Sequence, residues 1–519
     1  VVILDDVDRF LASGLTVNDL DRWLAKQCVV VATVTQSAYE SLVPTKDTKP
    51  PGWELINRFT TLTLNQLPTP GELRALRSTP YADLIGQAEQ LGLAAVLGGA
   101  PRLRGRYADG AAGHTLGWAL VRAAVDWRRA GLGSSTRDLL QSLVEVYPDQ
   151  AAGGRDWPKA WEWATVEFGE SVALLNQEAD DRWAAHDIIV DDESGRPIPP
   201  EALAEMAAVS LEPGQALALA TYLYQLAPEL WMPTIEAQLD AAMQSAEPRI
   251  IARAALLRGW FLSDTAADPA AAVSYLELAN RNDPTDPTIN GFLAMVLTRS
   301  GGDPQRIRGL FQTATTVRAP DPILLAEFAQ FLAESLHDEP AATQLRERAL
   351  AAFTAQIDRY AEDPAPAIRE QVASALVNKG VTLGQAGRSE EAIGVYDQLI
   401  TSYAEDPAPA IREQVAKAMS NASQIDFSRG LDEQGAARAR EALRLAGDNP
   451  DLDPMRAEAH LYLFAHHPGS RAAAGAALKT LLATGVSTGD WSFQPNLDRL
   501  GVMSREVVQP GDGCRSPDC

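Results

Sequence analysis

Three cysteines in 519 residues are too few for a disulfide scaffold. Cys28 lies in an apolar run, while Cys514 and Cys519 lie in a Gly/Pro/Asp tail expected to be disordered. That usage fits a reducing compartment, and a cytoplasmic location is the expectation. Basic charge is also short. Lys and Arg total 45 against 69 Asp and Glu, a formal net charge of -24. Such a balance argues against a general nucleic-acid or anionic-membrane surface. No apolar run approaches the roughly 20 residues of a membrane span, and no signal peptide is visible. The chain contains no Gly-x-x-x-x-Gly-Lys-Ser/Thr, no His-Glu-x-x-His and no Gly-x-Ser-x-Gly. Its six His are scattered, and His466-His467 offers no helical i, i+4 ligand pair, so a metal centre is not expected.

What is present starts at the first residue. Val1-Val2-Ile3-Leu4-Asp5-Asp6 reads as a buried parallel strand that carries two carboxylates to its C-terminal tip. Cys28–Val34 reads as a second strand ending in polar Thr33, Thr35 and Gln36, and the amphipathic segment from about 16 to 26 joins the two. Ligands of open α/β sheets bind at that edge. Thr60–Leu64 alternates as a short strand. Thr69-Pro70-Gly71-Glu72 starts a helix with an N-cap, a Pro at N1 and an acid in the first turn. Residues 70–148 then read as helical, broken at Gly98-Gly99-Ala100-Pro101. Residues 149–212 differ: Trp157, Trp161 and Trp163 form a core face, and Ser171–Leu175 and Ile188–Val190 read as short strands of a small winged-helix-like α+β domain.

From about 213 the chain is helix after helix. Tyr-Ala-Glu-Asp-Pro-Ala-Pro-Ala-Ile-Arg-Glu-Gln-Val-Ala occurs at 360–373 and again at 403–416, fourteen identical residues at an offset of 43. Identity at a fixed offset marks a repeat array. Gly380 and Ala392 are small enough for two helices to approach. Tyr396 and Leu399 fill their seam, and Gly387 ends the first helix. This spacing resembles the tetratricopeptide repeat (TPR). Gly259, Ala272, Ala279 and Pro284 make a looser match upstream. A groove lined by the first helix of each unit is the expected surface for a protein or peptide. Asn378, Lys379, Thr382, Asn421 and Gln424 are its candidates, as polar positions that the seam does not need.

The ordered series resembles the signal-transducing STAND-class NTPases of actinobacterial type that carry C-terminal TPRs. Residues 1–6 resemble Walker B and 29–35 a sensor strand, with Pro50-Pro51-Gly52-Trp53-Glu54 ahead of the last core strand. Gly99-Ala100-Pro101 resembles the turn of the lid, and Val121–Gly131 the helix after it. The resemblance implies ATP and Mg in an intact parent, with Asp5 in the magnesium shell, Asp6 orienting the attacking water, Thr33 as polar sensor and Pro101 near the adenine. It places an Arg where Thr35 stands, which implies slow hydrolysis or binding alone. Because the phosphate loop is lacking and the chain opens inside a strand, it reads as a fragment cut downstream of that loop. This chain is then expected to be non-catalytic and to hold no cofactor.

The fold class expected is mainly α. An incomplete P-loop α/β remnant (1–69) leads into a helical lid (70–148), a winged-helix-like domain (149–212), a TPR-type α-solenoid (213–487) and a C-terminal extension (488–519). The expected function is a protein-interaction scaffold derived from a nucleotide-regulated signalling ATPase. One alternative is an active ATPase completed by a missing N-terminal region, for which an oligomer stays open. A second is a winged-helix transcription regulator. Asp180-Asp181, Asp187 and Asp191-Asp192-Glu193 count against the second, because they would face phosphates. Arg102, Arg104 and Arg106 read as a solvated lid edge, with a phosphate or subunit contact as the other reading.

Overall fold

A computed structural model describes residues 1–483, apart from 5–6, 13–14, 35–37, 40–41, 44–51, 61–66, 78, 80–81, 83–84, 93–99, 148–155, 168–171, 265–268, 318–319 and 362–364. The chain divides into two compact units, residues 1–39 with 55–254, and residues 40–54 with 255–519. The expected strand at 60–64 and the tail lie outside the described residues, as do Asp5, Asp6 and Thr35.

The first unit opens with β1 (Val2–Leu4), α1 (Val7–Ala12), α2 (Val17–Ala25) and β2 (Val30–Ala32). β1 and β2 pair in parallel, with Ile3 opposite Val31. Helix α2 starts there because Thr16 and Asp19 form a capping box. Asp19, 4% exposed, is held in turn by a bidentate ion pair with Arg249, at 2.8 and 2.6 Å. Leu4, Val7, Val17 and Leu20 bury one side of this small sheet. The other side departs from the expected fully buried strand: Ile3 is 70% and Val31 48% exposed. Two strands with helices on one face leave alternate side chains in water.

Short helices α3 (Trp53–Ile56), α4 (Pro70–Leu76) and α5 (Ile85–Leu91) follow, the first of them at the boundary between the units. The chain then runs through α6 (Ala100–Gly113), α7 (Thr115–Arg129), β3 (Ser135–Thr136), α8 (Arg137–Val144), α9 (Trp157–Thr165), β4 (Leu175–Ala179) and β5 (Arg182–Ala185). The three strands are antiparallel in the order β3-β5-β4. Helix, strand, two helices and a hairpin, with the last strand central, is a winged-helix arrangement. It starts at α7 rather than at 149, because its first strand is Ser135–Thr136. Residues 188–190 are not a strand. They lie in α10 (Asp187–Asp192), capped by His186 Nδ1 accepting from Ile188 N–H, with Asp187 in the first turn. Trp163 wedges between α6 and α7, where Gly110 and Gly117 leave room: a Cβ at either would overlap its ring. Behind it Asp126, fully buried, accepts from Arg196 at 2.6 Å and from the Tyr147 hydroxyl at 2.7 Å. A buried carboxylate so paired fixes geometry more than it adds stability. The unit closes with α11 (Pro200–Ala208), α12 (Pro213–Leu226) and α13 (Pro228–Ala242), the last two an antiparallel pair. The array expected from 213 therefore splits, and these two helices belong to the first unit.

Helix α14 (Pro248–Asp264) spans the boundary, and the second unit continues as α15 (Pro269–Asn282), α16 (Pro287–Arg299), α17 (Pro304–Thr315), α18 (Pro322–Ser335), α19 (Glu339–Tyr360), α20 (Pro366–Gln385), α21 (Ser389–Tyr403), α22 (Pro409–Ser428), α23 (Asp432–Ala446), α24 (Asp453–His466) and α25 (Arg471–Ala483). Their starts are written in the sequence. Asp286, Asp303 and Asp321 each cap a helix by accepting from backbone N–H groups, and Pro follows at N1. From α16 on, each even-numbered helix packs on the odd-numbered one after it. In addition α16 packs on α18, α20 on α22 and α22 on α24. First helices stacking on first helices make this a mainly-α, TPR-like solenoid. Its seams need missing side chains. Gly380 faces Tyr396 so closely that a Cβ would overlap the ring, and Gly259 meets Leu276 in the same way. Nothing lies within 4 Å of a Cβ at Gly384, one turn further on. Gly380→Ala should therefore destabilise the array by about 1–3 kcal/mol through overpacking. Gly384→Ala should be neutral or stabilise by up to about 1 kcal/mol. Urea unfolding of both variants checks the pair, and equal midpoints would contradict the close approach.

Candidate functional site

At the sheet edge the backbone does part of what the sequence suggests. Thr33 N–H donates to Leu4 C=O at 2.9 Å, and Thr33 C=O accepts from Val7 N–H at 2.8 Å. The two tips therefore run side by side, with Thr33 between the residues that flank Asp5 and Asp6. Thr33 itself is exposed. Pro101 is half-buried in the first turn of α6, which packs on α7 and α10. Of the three arginines, Arg104 forms a bidentate pair with Asp192 at 2.6 and 2.8 Å. Arg106 donates to the Trp163 carbonyl at 2.6 Å. Both serve the packing of α6, and Arg102 is exposed.

The winged-helix module presents acids where DNA would have to approach. Asp180 and Asp181 form the tip of the β4–β5 hairpin, and Asp181 adopts φ +50. Exposed positions of α9 include Lys159, which is paired to Asp156 at 2.8 Å, and Glu162. Arg137 is exposed but engaged, its guanidinium 4.6 Å from the Trp161 ring and 4.9 Å from that of Trp183, with Asp181 4.0 Å from its Nε. Phosphate binding needs free cations, and this face supplies acids.

The helix array carries the other candidates, and the structure sorts them. Thr382 is 1% exposed and donates its hydroxyl to the Asn378 carbonyl at 2.8 Å. It offers no surface, which corrects its assignment to the groove: a helical Thr can satisfy itself on the carbonyl four residues back. Lys379 faces the second-helix side. There it borders a groove of about 750 Å³ between α19 and α21, with Leu350, Ala355, Leu383 and Val395 on the floor and Arg388 on the rim. Asn421 hydrogen-bonds Tyr396, tying α22 to the helix before it; burial raises the pKa of that phenol. Asn378 occupies the same repeat position one unit earlier, where Phe353 stands for Tyr396 and has no hydroxyl. Gln424 is half-buried, and its Nε2 has no hydrogen-bond partner among the described residues. Asn378 and Gln424 thus remain as first-helix groups for a ligand.

Sequence reading missed the second-helix side. Arg306 pairs with Glu277 at 2.5 Å, Arg388 with Glu347 at 3.1 Å, Arg429 with Glu390 at 3.1 Å and Arg438 with Asp397 at 2.7 Å. Each pair links neighbouring repeats. Exposed pairs contribute little individually, about 0–1 kcal/mol, so their value is register. The acid and base sit some 30 to 40 residues apart, roughly one repeat, so the repeat period was the available signal.

No protein-family model matches the chain, and no curated protein matches it. Solved structures do. One is a STAND protein (Signal Transduction ATPase with Numerous Domains) with a tetratricopeptide repeat sensor from Pyrococcus horikoshii. It is 10% identical with a TM-score of 0.33, over 86% of this chain and 71% of that one. Another is the TPR domain of P58(IPK), 14% identical with a TM-score of 0.20, over 63% of this chain and 94% of that one. At these low scores the likeness carries no functional argument, and the repeat fold rests on the helix pairing above. Among the described residues no helix is long and apolar enough to cross a membrane, and no cluster of His, Cys, Asp and Glu has the makings of a metal site.

One side chain of the array has a definite pH consequence. His460 in α24 has a buried Nδ1 without a hydrogen-bond partner among the described residues. Burial, aided by the Arg456 charge, pushes its pKa down to about 4 from 6.5. The folded state thus prefers neutral imidazole. The stability that this confers is complete above pH 6.5 and is lost as pH falls toward 4. His460→Gln should flatten the pH dependence of the melting temperature between pH 6.5 and 4. An unchanged slope would mean that His460 stays neutral for no energetic reason.

Proposed function

We propose that this chain is a protein-interaction scaffold whose α14–α25 array presents its first helices to a peptide or protein partner. The observation that carries this is the stacking of α20, α22 and α24 on one another, which sets the half-buried Asn378 and Gln424 on successive first helices. A ligand would supply hydrogen-bond partners to the half-buried Asn378 amide. Selection from a displayed random-peptide library against the full chain tests it. Binders whose affinity falls on Asn378→Ala or Gln424→Ala support the reading. Failure to enrich any sequence over an unrelated helical protein would overturn it.

We further infer that β1, α2 and β2 correspond to the Walker B and sensor strands of a STAND-type nucleotide switch, in which Asp5 would be the magnesium ligand, Asp6 the water-orienting acid, Thr33 the sensor and Pro101 near the base. The support is the parallel β1–β2 pair with its crossover helix and the Thr33 bridge between Leu4 and Val7. ATP and Mg would be the ligands of such a switch. The described residues include no backbone cradle with a Lys for the β- and γ-phosphates. Millimolar MgATP should therefore leave the melting temperature of this chain unchanged. A micromolar dissociation constant for MgATP would sink that expectation.

A further inference from the structure

The two identical fourteen-residue segments sit at successive junctions of the array, and the junction after them has diverged. At the junction of α20, α21 and α22, Tyr403 ends α21 and Asp406 follows three residues later. Asp406 Oδ2 lies 3.0 Å from Arg369 Nη1. Tyr403 is half-buried beside that pair, and the charges of both groups act on its hydroxyl. One repeat further on Arg412 stands for Arg369 and Glu413 for Glu370, but Ala446 replaces Tyr403 and Asn449 replaces Asp406. Ring and carboxylate are both missing from these two positions. Their place is an open pocket of about 430 Å³, lined by Arg412, Glu413, Ala446, Asn449 and Leu452, with Arg444 at its side. Arg412 is exposed and has no side-chain partner among the described residues.

We propose that this pocket binds a partner peptide carrying an aromatic residue with an aspartate three residues after it. The proposal rests on the scaffold reading and names its ligand class. The walls are chemically suited to such a segment, because the junction before them holds one: Arg369 already accommodates Asp406, with Tyr403 beside the pair. Glu413 corresponds to Glu370, which follows Arg369 in the junction where Arg369 still pairs with Asp406, so a Glu at this position is compatible with an aspartate on the neighbouring Arg. Arg444, held by Glu441 at 2.8 and 2.6 Å, stands where the earlier junction has Thr401 and adds a second cation. The volume lies in the range of about 300–1,000 Å³ typical of ligand pockets. The peptide would place its ring over Ala446 and its carboxylate on the Arg412 guanidinium, a charge-assisted pair that the chain leaves unmade.

The test is fluorescence anisotropy of a labelled Tyr-Ala-Glu-Asp-Pro-Ala peptide with the full chain. The expected result is saturable one-to-one binding, weakened about tenfold or more when the peptide Tyr becomes Ala or its Asp becomes Asn. R412A and N449D should weaken it similarly, the second by giving Arg412 an internal carboxylate. A446Y should abolish it by refilling the pocket. Because Ala446 is only 5% exposed, R412A and N449D decide the matter if A446Y lowers the melting temperature. Binding unchanged in R412A and N449D overturns the site. So does a chain that binds library-selected peptides but not this one, and the scaffold reading then survives. A chain that binds neither loses both readings. Self-association abolished by R412A, without peptide binding, would make a second copy the occupant and overturn the peptide assignment.

Discussion

At several crossings the helices of the array close on one another because one of the pair gives up a side chain. Gly380 does so for Tyr396 and Gly259 for Leu276, and a Cβ at Gly435 in α23 would lie 3.0 Å from the Phe427 ring. Helices packed this closely make the hydrophobic seam continuous. Tyr396 and Leu399 are then covered by their own pair, and the first helices are left to stack on the next repeat. Everything functional in the array follows from that division. Residues in the seam are fixed by volume, while residues on the two outer faces are free to vary between repeats.

What was legible in the sequence was of this first kind. Gly380, Ala392, Tyr396 and Leu399 could be placed because a small residue opposite an aromatic one, in a helical repeat, marks a close crossing. The start at Thr69-Pro70 was legible for a local reason, since a cap and a fixed φ act within one turn. Failures came where a local rule was outvoted or a signal was short. Ile188-Ile189-Val190 has the composition of a strand, yet His186 and Asp187 cap it as a helix. The winged-helix module was placed too late in the chain because its first strand is two residues, Ser135 and Thr136. Thr382 looked available because it is polar, but its hydroxyl is satisfied within its own helix. Lys379 was put on the wrong face because the phase of α20 against α19 and α21 depends on tertiary packing.

Divergence between repeats is more informative than the repeat itself. Leu383 and Val395 floor the groove between α19 and α21. One repeat later the same two positions are Asp426 and Arg438, 3.1 Å apart, with Asp426 fully buried. Burial raises the Asp426 pKa while Arg438 opposes the rise, so the pair is held rather than strongly stabilising. An apolar floor has become an ion pair that ties α22 to α23, and Arg438 extends it to Asp397 on α21. Asn378 and Asn421 show the same logic in reverse. The residue is kept and its partner changes from Phe353 to Tyr396, so one amide is used internally and the other is not.

Charge then says where such changes leave something over. The chain carries a net charge of -24, so in this array arginines tend to find a carboxylate. Arg306, Arg388, Arg429 and Arg438 bridge to neighbouring repeats, and Arg369 does so through Asp406. Against that background a guanidinium whose counter-ion has been replaced by an amide is not a neutral change. Removing one member of a pair leaves the other to be solvated or to be met from outside. At Arg412 the ring that shielded its counterpart is gone as well, and the space remains open. The joint loss of Tyr and Asp, with Arg and Glu kept, leaves the shape and the charge of the missing segment as the specification of what fits.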